Sequence, residues 1–522
     1  MATVTLTDSF NNLNGWQGNL LRADVGTSIF KANSTTFAFT YAAGHPFAGY
    51  TVTIKGVGFT FDGSTPTAGD MTRLSITDSL STTVLTVEGI TAHTLASDLS
   101  LFAAFGFGWT DSDGTFFGPS VGNSWSQLLS GNDLIVGSAG RDGRYLVGMN
   151  HGNDVFSMGD GDDWAGGSMG NDTIDGGNGF DSLGFSETLF NEGMSMTQGI
   201  VVDVAAGTVV DAWGFTDTVI SIEQFEGSAY NDKFIGGAGD DSFRGLRGSD
   251  TFDGGGNLRQ GDWLFYDNDH WYGGNHGIAV NLQTSASGLN IKGTVRDSFG
   301  ALDRTINIEN VGGTRFNDSF VGSDVQNTFS GGEGRDTFDG GAGVDWVWFF
   351  WNHGNAQSVG VDINLSAANN QVRNDGFGNM ETLISIENIV GSDQNDRIKG
   401  STGNNLLQGA LGTDTLTGGG GNDEFVYSSR DNFGQGDVIT DFRATGAANI
   451  DKMQLWVSNW GATTTLTLVN GTAATQAVST FIFNAATHVL SWDEDGTGAI
   501  SAVDVATLTG VTALTAANFD LL

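Results

Sequence analysis

Aspartates that follow a Gly-x pair recur every nine residues along much of this chain, and carboxylates so regularly placed could bind metal ions. Asp154, Asp163, Asp172 and Asp181 form one such run, and residues 331–339 spell a complete unit of the form G-G-x-G-x-D-x-U-x, in which U is apolar. The glycines permit a sharp turn and a close approach of a cation to the backbone. A short carboxylate beside main-chain carbonyls supplies hard oxygen donors, which suit Ca²⁺. The spacing therefore predicts rows of calcium sites.

Each unit ends in a very short strand, so two units should make one coil of a flattened helix. Turns eighteen residues apart then lie on the same edge and should share ions, as Asp154 would with Asp172. Asn327 and Asn405 replace the aspartate in two units and should weaken their sites. The predicted ligands are Asp133, Asp142, Asp154, Asp163, Asp172, Asp181, Asp232, Asp241, Asp250, Asp318, Asp336, Asp345, Asp396, Asp414 and Asp423.

The composition agrees with a glycine-rich backbone that carries many carboxylates. The 522 residues include 80 Gly and only 3 Pro, and 60 acidic against 21 basic residues give a net charge of −39. Only eleven of the acids are Glu, and this preference for Asp favours turns and cation ligands over a merely solvated or salt-adapted surface. The lack of cysteine excludes disulfides and zinc–thiolate sites. No basic stripe is present, so nucleic acid is not an expected partner.

The repeat resembles that of the RTX, or haemolysin-type, calcium-binding family over roughly residues 128–522. The resemblance implies several bound Ca²⁺ ions. It also implies type I secretion to the extracellular space or cell surface through an uncleaved C-terminal signal, and residues 436–442 with 450–453 look like the end of a roll in that family. The N-terminal residues show no cleavable signal peptide, and no run is long and apolar enough for a membrane span.

The predicted fold is all-β: a parallel β-roll or β-solenoid with calcium-binding nonapeptide turns, a separate β-rich N-terminal domain and a β-rich C-terminal cap. Three longer segments, called spacers below, separate the nonapeptide blocks, and each ends in an Ile-Glu pair such as Ile222 and Glu223. The predicted parts are an N-terminal domain with an anchoring or assembly role (1–125), a first block (126–190), three modules of spacer plus block (191–275, 276–356 and 357–430), and the cap with the secretion region (431–522).

The sequence shows no clear catalytic constellation. Seven histidines are scattered without an H-E-x-x-H motif, and the one G-x-S-x-G, around Ser168, lies inside a glycine-rich nonapeptide block. The leading prediction is therefore a non-enzymatic structural or adhesive protein of a surface layer, filament or biofilm matrix, which folds and assembles on binding calcium. The rival is an extracellular enzyme acting on polysaccharide or lipid and carried on the same scaffold.

Bulky aromatic residues are concentrated in the run 346–351, Trp-Val-Trp-Phe-Phe-Trp. A strand there would place Trp346, Trp348 and Phe350 on one face and three further apolar side chains on the other. One face can line a roll, so the other must be covered by a spacer or by another molecule. Self-association is therefore the predicted interaction, with a cell-surface polysaccharide as a further partner because aromatic rings stack on sugars.

Overall fold

The computed structural model describes residues 152–186, 196–256, 261–283, 292–350, 357, 359–429, 432–433, 435–446, 449–457 and 466–522, together with the backbone of nine earlier strands. The described regular elements are β-strands, apart from two short 3-10 turns at Asp269–Tyr272 and Ala516–Asn518, so this part of the chain is all-β as predicted. The chain forms two compact units, Met1–Arg259 and Gln260–Leu522.

The first unit contains twenty strands. They are β1 (Thr3–Leu6), β2 (Thr27–Asn33), β3 (Thr36–Tyr41), β4 (Thr51–Asp62), β5 (Thr65–Thr77), β6 (Thr83–Glu88), β7 (Trp109–Thr110), β8 (Phe116–Phe117), β9 (Leu134–Val136), β10 (Val155–Ser157), β11 (Trp164–Gly166), β12 (Thr173–Asp175), β13 (Ser182–Gly184), β14 (Val201–Asp203), β15 (Thr208–Val210), β16 (Thr216–Ile220), β17 (Gln224–Glu226), β18 (Lys233–Ile235), β19 (Ser242–Arg244) and β20 (Thr251–Asp253).

The second unit contains the remaining strands. They are β21 (Trp263–Phe265), β22 (Ala279–Asn281), β23 (Lys292–Arg296), β24 (Leu302–Ile306), β25 (Asn310–Gly312), β26 (Ser319–Val321), β27 (Thr328–Ser330), β28 (Thr337–Asp339), β29 (Trp346–Trp348), β30 (Asp362–Asn364), β31 (Val372–Asn374), β32 (Thr382–Ile384), β33 (Asn388–Val390), β34 (Arg397–Lys399), β35 (Leu406–Gln408), β36 (Thr415–Thr417), β37 (Glu424–Tyr427), β38 (Val438–Ile439), β39 (Lys452–Leu455), β40 (Leu468–Asn470), β41 (Thr480–Asn484), β42 (Val489–Asp493), β43 (Val503–Leu508) and β44 (Phe519–Leu521).

Strands of alternate nonapeptides pair in parallel, which is the arrangement expected of a β-roll. In the first block β10 pairs with β12, with Val155 opposite Thr173, and β11 pairs with β13. In later blocks β18 pairs with β20, β26 with β28 and β34 with β36. Because consecutive nonapeptides belong to different sheets and alternate ones to the same sheet, two units make one coil.

The apolar residue of each nonapeptide fills the interior between the two sheets. Phe234 and Phe252, on neighbouring coils of one sheet, stack with ring centroids 5.0 Å apart, and Phe243 from the facing sheet lies 5.2 Å from Phe234. Phe320 and Phe338 repeat the stack at 4.8 Å in the second unit. All five rings are buried. The core of the roll therefore contains about one apolar side chain per nonapeptide and is narrow.

Spacers join neighbouring blocks by pairing with both of them. In the first spacer β14, β15 and β16 form an antiparallel meander. Its last strand β16 pairs in parallel with β12 of the preceding block, and its first strand β14 pairs with β18 of the following block. The third spacer repeats this arrangement, since β32 pairs with β28 and β30 pairs with β34. Each spacer thus continues a roll sheet instead of interrupting it.

Strands from the predicted N-terminal domain and cap also continue roll sheets. In the first unit β9 pairs in parallel with both β1 and β10, so hydrogen bonding passes from the N-terminal strands into the first block. In the second unit β38 and β39 extend the two sheets of the fourth block, through β36 and β37 respectively. Strands β43 and β44 then pair with β38 and β39.

The aromatic run is packed partly within its own unit. Val347 is buried in the roll, while Trp348 lies on the outer side with its ring centroid 5.2 Å from that of Trp263. Trp263 in turn stacks on Phe265 at 5.1 Å. Phe350 remains exposed, and Trp351 lies outside the described residues. Other aromatic side chains therefore cover part of the outer face.

Candidate metal centre

The aspartates of the turns form rows in which a backbone N–H donates to the carboxylate eighteen residues further along the chain. In the first block the N–H of Asp154 donates to Asp172 Oδ1 at 2.8 Å, and this bond is buried. The same bond, at 2.8–3.0 Å, joins Asp154 to Asp172, Asp163 to Asp181, Asp232 to Asp250, Asp318 to Asp336, Asn327 to Asp345, Asp396 to Asp414 and Asn405 to Asp423. The structure therefore brings together the five aspartate pairs expected from the sequence.

Several of these carboxylates keep one oxygen that is buried without a hydrogen bond. The second carboxylate oxygen accepts none from the described residues in Asp181, Asp336, Asp345, Asp414 and Asp423. All five side chains are at most 1% exposed. A buried anionic oxygen without a partner is costly, so such groups are normally paired or bind a metal ion.

Burial also makes these carboxyl groups hard to ionise. Desolvation, with repulsion from Asp396 and Asp437, raises the pKa of Asp414 from 3.8 to about 8. Burial likewise raises the pKa of Asp345 to about 7 and that of Asp423 to about 6. A bound divalent cation would supply the compensating charge and favour the ionised forms.

Main-chain carbonyls lie beside the carboxylates, in a space that a glycine keeps open. A Cβ added at Gly340 would lie 2.5 Å from Asp345 Oδ2 and within 3.0 Å of the Ser385 carbonyl oxygen. No group of three acidic or histidine side chains in the described segments could hold an ion by itself. Carbonyl oxygens must therefore complete the donor set, and a mixed set of carboxylate and carbonyl oxygens fits Ca²⁺.

The first aspartate of each later block accepts more hydrogen bonds than the aspartates of the inner turns. Asp396 accepts hydrogen bonds from the N–H and hydroxyl of Ser392 and from the N–H of Val361. Asp232 and Asp318 are held in the same way. A Ser or Thr four residues earlier therefore satisfies these carboxylates in part, so the inner turns carry the stronger requirement for a cation.

Two asparagines make side-chain hydrogen bonds on both sides of their turns. Asn405 accepts the N–H of Ser401 at 2.6 Å and donates its Nδ2 to the Glu387 carbonyl at 2.6 Å. Asn327 makes the same pair of bonds to Ser323 and the Glu309 carbonyl. The sequence predicts weakened calcium sites here. In the structure the amide of each asparagine donates to a main-chain carbonyl, which a carboxylate could not do.

Replacing Asn405 with Asp should therefore add a calcium site. The carboxylate would face the Glu387 carbonyl without an N–H to offer it, so we expect one more Ca²⁺ per chain and less β-sheet circular dichroism in chelator. Equilibrium dialysis and circular dichroism of the full chain would measure both. Asn404→Asp is the matched control, because this exposed neighbour gains the same charge outside the row. Equal calcium counts for the two variants would contradict the assignment.

Further carboxylates, absent from the sequence prediction, end the rows. Glu223, Glu309 and Glu387 accept the N–H of Asp181, Asp262 and Asp345 respectively, at 2.8–3.0 Å. Asp217, Asp437 and Asp451 accept the N–H of Asp172, Asp414 and Asp423 respectively, at 2.9–3.0 Å. The recurring Ile-Glu pair was the available signal for the glutamates. The three aspartates belong to no nonapeptide, and only Asp217 has a sequence signal of its own, because it ends an acidic pattern that recurs at residues 297–303 and 375–381.

The remaining predicted residues also occupy buried turns where the structure describes them. Asp154, Asp163, Asp241 and Asp250 are buried, and Asp241 accepts the N–H of Gly237 at 2.6 Å. Asp133 and Asp142 lie outside the described residues. Ser168, from the G-x-S-x-G sequence, is buried and donates its hydroxyl to Asp172 Oδ2 at 2.7 Å. This serine therefore belongs to the turn structure of the roll.

Comparison with known proteins identifies the repeat. A family model for the RTX calcium-binding nonapeptide repeat (four copies) matches residues 128–142, 150–183, 226–257, 312–347 and 390–425, and all fifteen predicted ligands lie within these segments. A search of curated proteins gave no match. Among the described residues, no helix is long and apolar enough to cross a membrane. RTX nonapeptide repeats bind multiple Ca²⁺ ions and are typical of secreted proteins, and this chain carries these calcium-binding repeats in five segments between residues 128 and 425.

Proposed function

We propose that this protein is an extracellular structural or adhesive element, exported by an uncleaved C-terminal signal, that folds and assembles when it binds calcium. The observation that carries the proposal is an apolar surface repeated from spacer to spacer. Ile220 and Ile384 each precede a Ser-Ile-Glu sequence, and both are 46% exposed. In the second and third spacers, Leu302 and Met380 are also exposed. Such a repeated surface suits contacts with many copies of one partner.

Charge explains why such contacts would depend on calcium. With a net charge of −39, copies of the metal-free chain repel one another strongly. Each bound Ca²⁺ removes two negative charges and also orders the strands that present the apolar residues. Calcium would therefore both build the contact surface and allow two copies to approach. In this proposal the strands before residue 126 serve anchoring or assembly, and no step of catalysis is assigned.

Calcium-dependent assembly should depend on the repeated apolar residues. The wild-type chain should sediment as a monomer in chelator and as larger species at millimolar calcium. The triple variant Ile220→Ser, Leu302→Ser, Ile384→Ser should keep its calcium-dependent circular dichroism but sediment as smaller species. Val478→Ser is the matched control, because Val478 is equally exposed but lies outside the spacers. A wild-type chain that stays monomeric in calcium would overturn the proposal.

A polysaccharide is the second candidate partner, and one residue favours it. Trp271 is 54% exposed on the 3-10 turn after β21, with the ring of His270 5.2 Å away. An exposed indole face is the surface on which sugar rings stack. If glycan arrays in calcium detect binding that Trp271→Ala abolishes while sedimentation is unchanged, adhesion to polysaccharide would replace self-assembly as the leading role.

A further inference from the structure

A second acidic motif, distinct from the nonapeptide, recurs once in each spacer. It has the form D-x-[WF]-G-x-x-[DE] and occupies residues 211–217, 297–303 and 375–381. All three copies lie outside the segments that match the RTX repeat model. The acids at its first and last positions are therefore not explained by the nonapeptide pattern.

The three copies adopt the same hairpin turn. Asp211 Oδ1 accepts the N–H of Trp213 and Phe215, and Asp297 and Asp375 accept the equivalent pair of amides in their own hairpins. The glycine of the motif has φ of 96°, 90° and 98° in the three copies, a conformation that other residues rarely adopt. The turn thus holds the first acid of each motif in place through one of its carboxylate oxygens.

In the first spacer these acids meet the end of a nonapeptide row. Asp211, Asp217 and Asp172 are all at most 1% exposed, and Asp217 accepts the N–H of Asp172. The second carboxylate oxygens of both Asp211 and Asp217 are buried and accept no hydrogen bond from described residues. Burial, with repulsion among these three groups, raises the pKa of Asp217 to about 8 and that of Asp211 to about 6. The cluster thus contains two unpartnered oxygens of buried acids.

The third spacer repeats the cluster in the second unit. Glu381 is buried, one of its carboxylate oxygens accepts no hydrogen bond from described residues, and it repels Asp336 and Asp375. Asp336 is the inner turn aspartate of the preceding block, as Asp172 is in the first unit. Here Asn379 donates to the second oxygen of Asp375 at 3.0 Å, so Glu381 and Asp336 present the free oxygens.

The second spacer brings together a similar set. Asp297 is buried, and its second oxygen accepts no hydrogen bond from described residues. Asp303 and Asp269 are buried nearby, and the Ser298 hydroxyl donates to Asp269 Oδ2 at 2.5 Å. Burial, with repulsion from Asp297 and Asp303, raises the pKa of Asp269 well above its ordinary value.

We propose that each spacer hairpin binds one Ca²⁺ ion in addition to those of the nonapeptide rows. The last acid of the motif would bind it together with the first acid in the first two spacers, and together with Asp336 in the third. Asp211 and Asp217 each keep a buried carboxylate oxygen without a hydrogen bond from described residues, and one divalent cation can compensate the charge of both carboxylates. The donors are all oxygens in a buried and irregular arrangement, which suits Ca²⁺ better than the strictly octahedral, hydrated Mg²⁺. Main-chain carbonyls or water would complete the set, as the repeat turns also require, because the described acids alone do not surround an ion.

In the first and third spacers the site would join the hairpin to the block before it. In the first unit it links the hairpin to Asp172, and in the second it links the hairpin of the third spacer to Asp336. Its occupancy would therefore fix how a spacer sits on the coil that precedes it. The RTX nonapeptides alone do not provide this link.

Calcium counting on the full chain tests the proposal. The triple variant Asp211→Asn, Asp297→Asn, Glu381→Gln keeps an oxygen at each position but removes one charge from each cluster, so it should bind three fewer ions per chain at saturation. Asp203→Asn is the matched control, because Asp203 also accepts a turn amide, and Asn281 and Asn364 occupy its place in the other spacers. An unchanged count in the folded triple variant would overturn the proposal.

Tb³⁺ luminescence tests the same site without replacing any of the acids that would bind the ion. Trp213 lies within the first motif, where the other two copies have Phe. Tb³⁺ bound in place of Ca²⁺ should therefore be excited through Trp213, and Trp213→Phe should remove part of the sensitised emission while the number of bound ions stays the same. If Trp213→Phe leaves the sensitised emission unchanged, no ion binds at this hairpin, whatever the folding of the triple variant.

Discussion

Removing calcium with excess chelator at neutral pH should abolish most of the β-sheet circular dichroism of this chain. Burying the apolar residue of one nonapeptide contributes roughly 1.5–3 kcal/mol. Ordering each of the nine backbone residues of that unit costs about 1–2 kcal/mol. The buried carboxylates add repulsion, since burial raises the pKa of Asp414 to about 8 and that of Asp345 to about 7. Without ions the rolls lack the interactions that offset these costs, so metal binding and folding are coupled.

Without calcium, protonation of the buried carboxylates should stabilise the folded chain in part. The direction of this pH dependence follows from the direction of the pKa shifts. The folded-state pKa of Asp414 is raised above its ordinary 3.8, so the folded chain binds the proton more tightly than the unfolded chain. The resulting stabilisation is fully present below 3.8 and is lost as the pH rises through about 8. In chelator, the chain should therefore show more β structure at pH 5 than at pH 8. Full β signal in chelator at pH 8 would refute the coupling.

Asp414→Asn should change stability in opposite directions with and without calcium. The asparagine keeps an oxygen for the Asp396 N–H but removes a charge whose burial raises the pKa to about 8. At roughly 1.4 kcal/mol per pKa unit, that charge costs the metal-free fold several kcal/mol. The variant should therefore keep more β-sheet circular dichroism than wild type in chelator and melt lower than wild type at saturating calcium, where it lacks a ligand. Circular dichroism in chelator and differential scanning calorimetry in calcium would measure the reversal.

Asp393→Asn provides the control for this reversal. Asp393 belongs to the preceding turn of the same row but is exposed, so its charge is screened by water. Its removal should change little either the circular dichroism in chelator or the melting temperature in calcium. If Asp414→Asn lowers stability equally with and without calcium, the carboxylate acts only as a hydrogen-bond acceptor and does not bind the ion.

The nine-residue spacing was enough to predict the coil, because it determines both partners of each strand and each turn. The pairing of Val155 with Thr173 and the hydrogen bond from Asp154 to Asp172 follow directly from two units per coil. The stacked rings of Phe234 and Phe252 follow from the apolar position of the unit. The fold class and the inner turn residues were therefore accessible from the sequence.

The carboxylates that end the rows could not be predicted from the spacing, because they depend on where the spacers place their side chains. Asp217 lies 45 residues after the aspartate whose N–H it accepts, and Asp437 lies 23 residues after its donor. No constant period links such residues. The role of Asn405 was also hidden, because whether an amide weakens a site or replaces the ion depends on the carbonyl opposite it.

The row hydrogen bonds all run in one direction along the chain. The N–H always comes from the earlier coil and the accepting carboxylate from the later one, from Asp154 and Asp172 to Asp423 and Asp451. In the exposed positions beside them the direction is reversed, as from the N–H of Phe180 to Asp162 and from the N–H of Thr413 to Asn395. A coil added at either end of a roll therefore brings both donors and acceptors to the coil that it covers, so these hydrogen bonds give ordered growth no preferred direction.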